Sequence, residues 1–179
     1  MTILRTDRLC LRDYSPGDLH ALHRLLSDKQ TMYFLDELQT SSIDETAYNL
    51  EMACRNTDGH YFCICDGKTG AFIGSIGYTI TAQTPLGAIV HLGYFLLPEC
   101  HGKGYAAEAA RRVLAFAFGT DGCVRVTTAC YAENAPSRRV MEKVGFRKEG
   151  ERLRAQYHDG CMKDRLEYAL NKDEFIGNI

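Results

Sequence analysis

Long apolar runs are missing from this 179-residue chain: none approaches the roughly 20 residues that a membrane-spanning helix needs. The opening Met-Thr-Ile-Leu-Arg-Thr-Asp-Arg mixes acid and base, so it lacks the apolar centre of a secretion signal. An excess of either charge is missing too. The formal net charge of −2 removes the electrostatic reason to expect nucleic acid or an anionic membrane as a partner. Internal repeats, low-complexity tracts and Pro/Gly-rich linkers are absent, so nothing divides residues 1–179 into more than one domain. Hydrophobic residues at 45% and charged residues at 25% exclude a disordered chain and suffice for a real core. The expectation is one cytoplasmic domain.

Paired cysteine spacing is also lacking. The eight cysteines stand at 10, 54, 63, 65, 100, 123, 130 and 161, with no CxxC among them. Most lie in apolar segments such as Phe62-Cys63-Ile64-Cys65, where a thiol behaves as a small buried hydrophobe that a cytosolic chain keeps reduced. A zinc site from His60, Cys63 and Cys65 would need a second ligand pair at zinc-like spacing. The expectation is structural thiols and no metal.

What is present reads as alternating strands and helices. Leu9 and Leu11 alternate with polar neighbours, predicting a strand near 3–13. Ser15-Pro16-Gly17-Asp18 opens a helix with Leu19, Leu22, Leu25 and Leu26 on one face, and Ser42 to Arg55 reads as a second helix. Residues 61–66 and 71–80 form a hairpin about Gly67-Lys68-Thr69-Gly70, and a further strand covers 88–97. A helix over 106–118 precedes a strand at 123–131. Asn134-Ala135-Pro136-Ser137 then opens a short helix that Val144-Gly145 ends, with Gly145 as its C-cap. Two last strands, near 146–154 and 164–170, flank a turn at His158-Asp159-Gly160. The fold class is mixed α/β with one central sheet.

The most informative stretch is His101-Gly102-Lys103-Gly104-Tyr105-Ala106, between the strand at 88–97 and an alanine-rich helix. Glycines let the backbone curl, and free N–H groups at a helix start can converge on one anion, so the turn is a socket for a phosphate or pyrophosphate. A P-loop is excluded, because no GK[ST] ending supplies a hydroxyl for magnesium. Gly102-x-Gly104-x-x-Ala107 with Asp121 fits a dinucleotide fingerprint loosely. That fingerprint normally opens its domain, whereas more than ninety residues precede this one.

A third reading uses several elements in order. Gly93-Tyr94-Phe95-Leu96-Leu97-Pro98, Gly102-Lys103-Gly104-Tyr105-Ala106-x-Glu108-Ala109, Glu133-Asn134-x-x-Ser137 and Glu142-Lys143-Val144-Gly145-Phe146 together resemble the GNAT superfamily of acetyl-CoA-dependent N-acetyltransferases. The opening Thr6-Asp7-Arg8-Leu9-x-Leu11-Arg12 and closing Asp164-x-x-x-Tyr168-Ala169-Leu170 are similar to its RimJ/RimL-like branch, which acetylates protein N-termini. The resemblance implies a single mixed, mostly antiparallel sheet flanked by helices and splayed between its fourth and fifth strands, with acetyl-CoA in the opening. It implies that Gly102, Lys103, Gly104, Tyr105 and Ala106 meet the CoA pyrophosphate. Phe95 and Leu97 would pair with the pantetheine arm as an added strand would. Asn134 would hydrogen-bond the same arm, and also suits a helix cap. A backbone N–H near Tyr94 or Phe95 would meet the acetyl carbonyl.

The chain departs from the family at two chemical positions. Many relatives carry Glu two residues before the Gly-Tyr pair, where this chain has His91. An imidazole can accept a proton at neutral pH, so His91 is the candidate base, beside the reading of a strand histidine without chemistry. Glu99 and Glu133 are fallback bases or solvated surface residues. A family tyrosine that protonates the leaving thiolate is replaced by Met141, which cannot donate. Ser137 matches the serine of the RimL-like branch near the sulfur, and equally suits a first-turn helix residue.

The acceptor expected is the N-terminal α-amine of a protein or peptide. The alternatives are a small amine (aminoglycoside, polyamine or amino acid derivative) or a CoA-binding regulator without turnover. Substrate choice would lie in the first two helices and the loops at 30–42 and 154–163. Tyr33, Phe34, Asp36 and Glu37 are candidates there to receive a cationic amine. Monomer and homodimer both stay open.

Overall fold

Thr6-Asp7-Arg8 breaks the expected strand 3–13 into a hairpin, β1 (Ile3–Arg5) and β2 (Leu9–Asp13). Thr6 N–H donates to Leu9 O at 3.0 Å, and Leu9 N–H returns to Thr6 Oγ1 at 2.9 Å. The computed structural model describes residues 1–175, with the backbone alone at Asp36. A 3-10 turn, Pro16–Asp18, then leads into α1 (Leu19–Leu26). The turn is fixed by the Asp18 carboxylate, which accepts from Ser15 N at 2.8 Å and from both terminal nitrogens of Arg12 at 2.8 and 2.6 Å. α1 buries Leu22, Leu25 and Leu26, as its apolar spacing predicts. α2 (Ile43–Arg55) starts where Ser42 Oγ accepts from Glu45 N and ends at Asn56 in the left-handed region.

β3 (Gly59–Asp66) and β4 (Phe72–Thr84) form the expected hairpin, closed by Asp66 Oδ1 accepting from Lys68 N and Thr69 N. β5 (Gly87–Leu96) runs towards the glycine turn and α3 (Tyr105–Gly119). β6 (Cys123–Tyr131), α4 (Ala135–Val144), β7 (Arg147–His158) and β8 (Cys161–Asn171) complete the chain. The strand order is β1-β2-β3-β4-β5-β6-β8-β7. The ladders β1/β2, β2/β3, β3/β4, β6/β8 and β7/β8 are antiparallel, and β5/β6 is parallel. This is the mixed, mostly antiparallel sheet with helices that the sequence implied. With the first strand split in two, the expected fourth and fifth strands become β5 and β6.

By packing, the chain divides into two compact units. The first comprises Met1–Thr79 with Gly93–Val113, the second Ile80–Leu92 with the chain from Leu114 onward. The first is centred on β2 and β3, where Leu9, Leu11, Phe62 and Ile64 are almost wholly buried, as is Leu25 of α1. In the second, the β5/β6 ladder runs from Ala88↔Cys123 to His91↔Thr127, and Val90, Val126 and Leu170 are buried.

The last two strands are longer than the 146–154 and 164–170 expected, so the expected loop at 154–163 is mainly strand. Its turn is only Asp159-Gly160, both at positive φ. The alternation is obscured by a bulge. Between the pairs Arg152↔Arg165 and Gln156↔Lys163, β7 advances four residues while β8 advances two. Arg154 takes φ 48° there, and its N–H is held by Asp164 Oδ1 at 2.7 Å.

Candidate active site

In the first unit, the glycine turn leads directly into α3, as its sequence predicted. Gly102 and Gly104 adopt φ +73° and +81°, a region that glycine enters without strain. The first bond of α3 joins Glu108 N–H to Gly104 O at 3.1 Å. The N–H groups of Tyr105, Ala106 and Ala107 therefore precede the helix's own ladder, at the end where its dipole favours negative charge. The donor set fits a diphosphate. Lys103, exposed between the glycines, adds a cation.

Arg8 holds this turn in place, a role that its position in the sequence did not disclose. It donates from Nε to Glu108 Oε2 at 2.7 Å and from Nη1 to Lys103 O at 3.0 Å, while its guanidinium lies 4.7 Å from the centre of the Tyr105 ring. Glu108 also accepts from Thr6 Oγ1 at 2.6 Å. Burial opposes charge on Glu108, but the hydrogen bonds from Thr6 and Arg8 prevail and hold its carboxyl below the usual range. The signal was the pair of motifs containing Thr6, Arg8 and Glu108; their meeting across about a hundred residues needed the fold.

The end of β5 in the first unit corrects one expectation. Leu97 N–H donates to Ile73 O at 2.9 Å, so that amide faces β4. A Cβ on Gly74 would stand 2.4 Å from Phe95 O, which places the Phe95 carbonyl on the same side. Backbone direction alternates along a strand, so the peptide groups turned away from β4 belong to Tyr94 and Leu96, not to Phe95 and Leu97. Leu96 O accepts from His101 Nε2 at 2.9 Å, which leaves the N–H as the donor of Leu96.

In the second unit, His91 is half-buried on β5. Its Nδ1 lies 3.2 Å from Thr127 Oγ1, and burial first, then the charge of Arg165, lowers its pKa from the ordinary value near 6.5, with Glu167 opposing. A neutral imidazole at pH 7 follows. Arg165 Nη1 bonds Gln156, and Glu167 pairs with Arg152 at 3.2 Å. Thr127 could not be assigned to His91 without the β5/β6 register, nor Arg165 without the β6/β8 register.

Asn134 caps α4, its Oδ1 accepting from Ser137 N at 3.1 Å. The amide NH₂ is the part of this side chain left for another carbonyl. Near Ser137, burial pushes the Cys130 thiol up to about 11 against the pull of Arg138, Arg165 and Ser137. Gly145 is the C-cap expected, at φ +104° with its N–H bonded to Met141 O and Glu142 O. Met141 is core, 1% exposed.

The remaining candidates are committed elsewhere. Glu99 pairs with Arg24, and Glu133 with Lys163 at 2.9 Å, both on the surface. His60 bonds Asp13 Oδ1 at 2.9 Å and stacks on Phe62 at 4.3 Å. Cys63 and Cys65 bring their sulfurs within 3.4 Å of each other, and all eight thiols are free. Tyr33 and Phe34 pack edge to face at 4.8 Å in a 3-10 turn, Glu37 is exposed, and the Asp36 side chain lies outside the described residues.

Residues 8–147 match the acetyltransferase (GNAT) domain family. The chain is 28% identical over 173 residues to YoaA, an uncharacterized N-acetyltransferase of Bacillus subtilis, covering 95% of this chain and 97% of that protein. Two solved structures share the fold at TM-scores of 0.85 and 0.84. One is a spermidine N-acetyltransferase from Vibrio cholerae in complex with CoA and spermine, 20% identical over 96% of this chain and 99% of that one. The other is RimL, a ribosomal L7/L12 α-N-protein acetyltransferase in complex with coenzyme A, 21% identical over 95% and 98%. The family match spans both units and includes the glycine turn, His91, Asn134 and Ser137: the chain belongs to the GNAT family and is an N-acetyltransferase that uses acetyl-CoA.

Proposed function

We propose that this enzyme acetylates the N-terminal α-amine of a protein or peptide by direct attack of the amine on the acetyl group. The observation that carries the reading is His91, neutral at pH 7 and facing Arg165. For any given base, taking a proton from an α-ammonium (about 7.7–8.0) is easier than from a lysine or polyamine ammonium (about 10.4) by about 3 to 4 kcal/mol, and a lowered pKa makes the base depend more on that difference. Arg165 further disfavours a polycation. Likeness to the RimJ/RimL-like branch points the same way.

Acetyl-CoA supplies an activated acyl thioester. The amides of Gly102 to Ala106, with Lys103, hold its diphosphate, and the N–H groups of Tyr94 and Leu96 serve the pantetheine arm and the acyl oxygen. In the second unit, the NH₂ of Asn134 is a donor suited to an amide carbonyl of the pantetheine kind. His91 Nε2 takes the proton that the amine loses as its nitrogen bonds the acyl carbon. Ser137 Oγ–H hydrogen-bonds the sulfur as the carbon–sulfur bond breaks, and the departing thiolate takes its proton from solvent. The whole of 1–179 acts in this reading as one acetyltransferase domain, supported by a family match that runs through both units. Eight free thiols suit a reducing cytoplasm.

The test is CoA-thiol release at pH 7 with Ser- and Ala-initiated peptides, the same peptides N-terminally blocked but carrying lysine, and spermine. We expect turnover with free α-amines at least about tenfold above the others, as the proton-transfer difference requires. Preference for spermine or for lysine would contradict the reading.

A further inference from the structure

Thr127 stands opposite His91 in the β5/β6 ladder, and its hydroxyl lies between two groups of β5. Oγ1 is 3.1 Å from Val90 O and 3.2 Å from His91 Nδ1. A carbonyl oxygen has no proton to give, so the hydroxyl donates its single hydrogen to Val90. Towards His91 it then presents a lone pair. Only an Nδ1–H answers a lone pair, so in the neutral ring the proton resides on Nδ1 and Nε2 is bare.

We propose that Thr127 is a positioning residue that fixes His91 in the Nδ1–H tautomer and so gives the ring its basic lone pair at Nε2. The next residue shows the same habit without the imidazole. Thr128, 4% exposed, donates from Oγ1 to Leu92 O at 3.0 Å, so successive hydroxyls of β6 fasten successive outward carbonyls of β5. The charged groups facing His91 are Arg165 and Glu167 on β8, with Arg152 on β7 bound to Glu167. These set how readily the ring takes a proton; the hydroxyl sets which nitrogen takes it. The consequence for turnover rests on the reading of His91 as base, whereas the tautomer follows from the hydrogen bonds alone.

Nitrogen-15 NMR of the histidine-labelled whole protein above pH 7 tests this directly. The wild type should show His91 protonated at Nδ1 and bare at Nε2. Thr127→Val keeps the branched shape and removes the hydroxyl. It should move the signal towards the Nε2–H form and lower kcat about tenfold, a part of what a well-placed base contributes. Thr127→Ser should restore both. Nε2–H in the wild type, or Nδ1–H persisting in Thr127→Val, overturns the proposal, and the first of these decides even if the valine variant fails to fold. A tautomer that responds while His91→Ala leaves turnover intact supports the positioning role and overturns the base instead.

Discussion

His91 is held below the ordinary histidine value by its surroundings, first by loss of water and then by the guanidinium of Arg165. If transfer needs the neutral ring, kcat/KM should fall only as pH drops below the ordinary value of about 6.5, because a depressed pKa keeps the base free down to more acid solution. Replacing Arg165 by methionine removes a cation that disfavours imidazolium, so the acid limb should move up towards 6.5. A limb that stays put or moves down would remove Arg165 from the account. At this scale the sequence disclosed residues carried by motifs, such as His91, Asn134 and Ser137. It did not disclose what Thr127, Arg165, Cys130 and Arg8 meet, because strand register or tertiary packing, not local spacing, brings them to their partners. The shift from Phe95 and Leu97 to Tyr94 and Leu96 has a similar origin: parity along β5 depends on which neighbour Leu97 bonds.

Among the elements, the glycine turn and the start of α3 depend on a clamp from the N-terminal hairpin. Arg8 and Thr6 both bind Glu108, one turn into the helix, and Arg8 also binds Lys103 O. Glu108→Gln keeps the shape but weakens the charge-assisted bonds. We expect KM for acetyl-CoA to rise about threefold to tenfold with kcat little changed, the modest size reflecting the partial exposure of Arg8. Initial-rate measurements over a range of acetyl-CoA check this; a fall in kcat at constant KM would mean that the clamp serves another purpose. Helix starts were legible because Ser15-Pro16-Gly17-Asp18, Ser42 and Asn134 carry their own capping chemistry. The break at Thr6-Asp7-Arg8 was not, since it uses neither glycine nor proline; its trace is the change of parity in the buried positions, from Leu4 to Leu9 and Leu11. The bulge in β7 was hidden for a like reason, with Arg154 in a conformation that its residue type rarely adopts.

For the whole molecule, order along the chain mattered more than any single motif. The glycine turn alone admitted a dinucleotide reading. The elements before and after it, together with a family match over residues 8–147, favour the acetyltransferase reading of it. The acceptor is less legible, because candidate residues at 30–42 and along β7 and β8 carry no transferable pattern. The claim beneath everything else is that the amides from Gly102 to Ala106 bind the diphosphate of the acetyl donor. Equilibrium binding of acetyl-CoA against S-acetylpantetheine, which has the same acyl end and no phosphate, tests that claim most directly. Binding of acetyl-CoA at least about 100-fold tighter is the result expected from two or more charge-assisted hydrogen bonds; equal affinity for the two would contradict it.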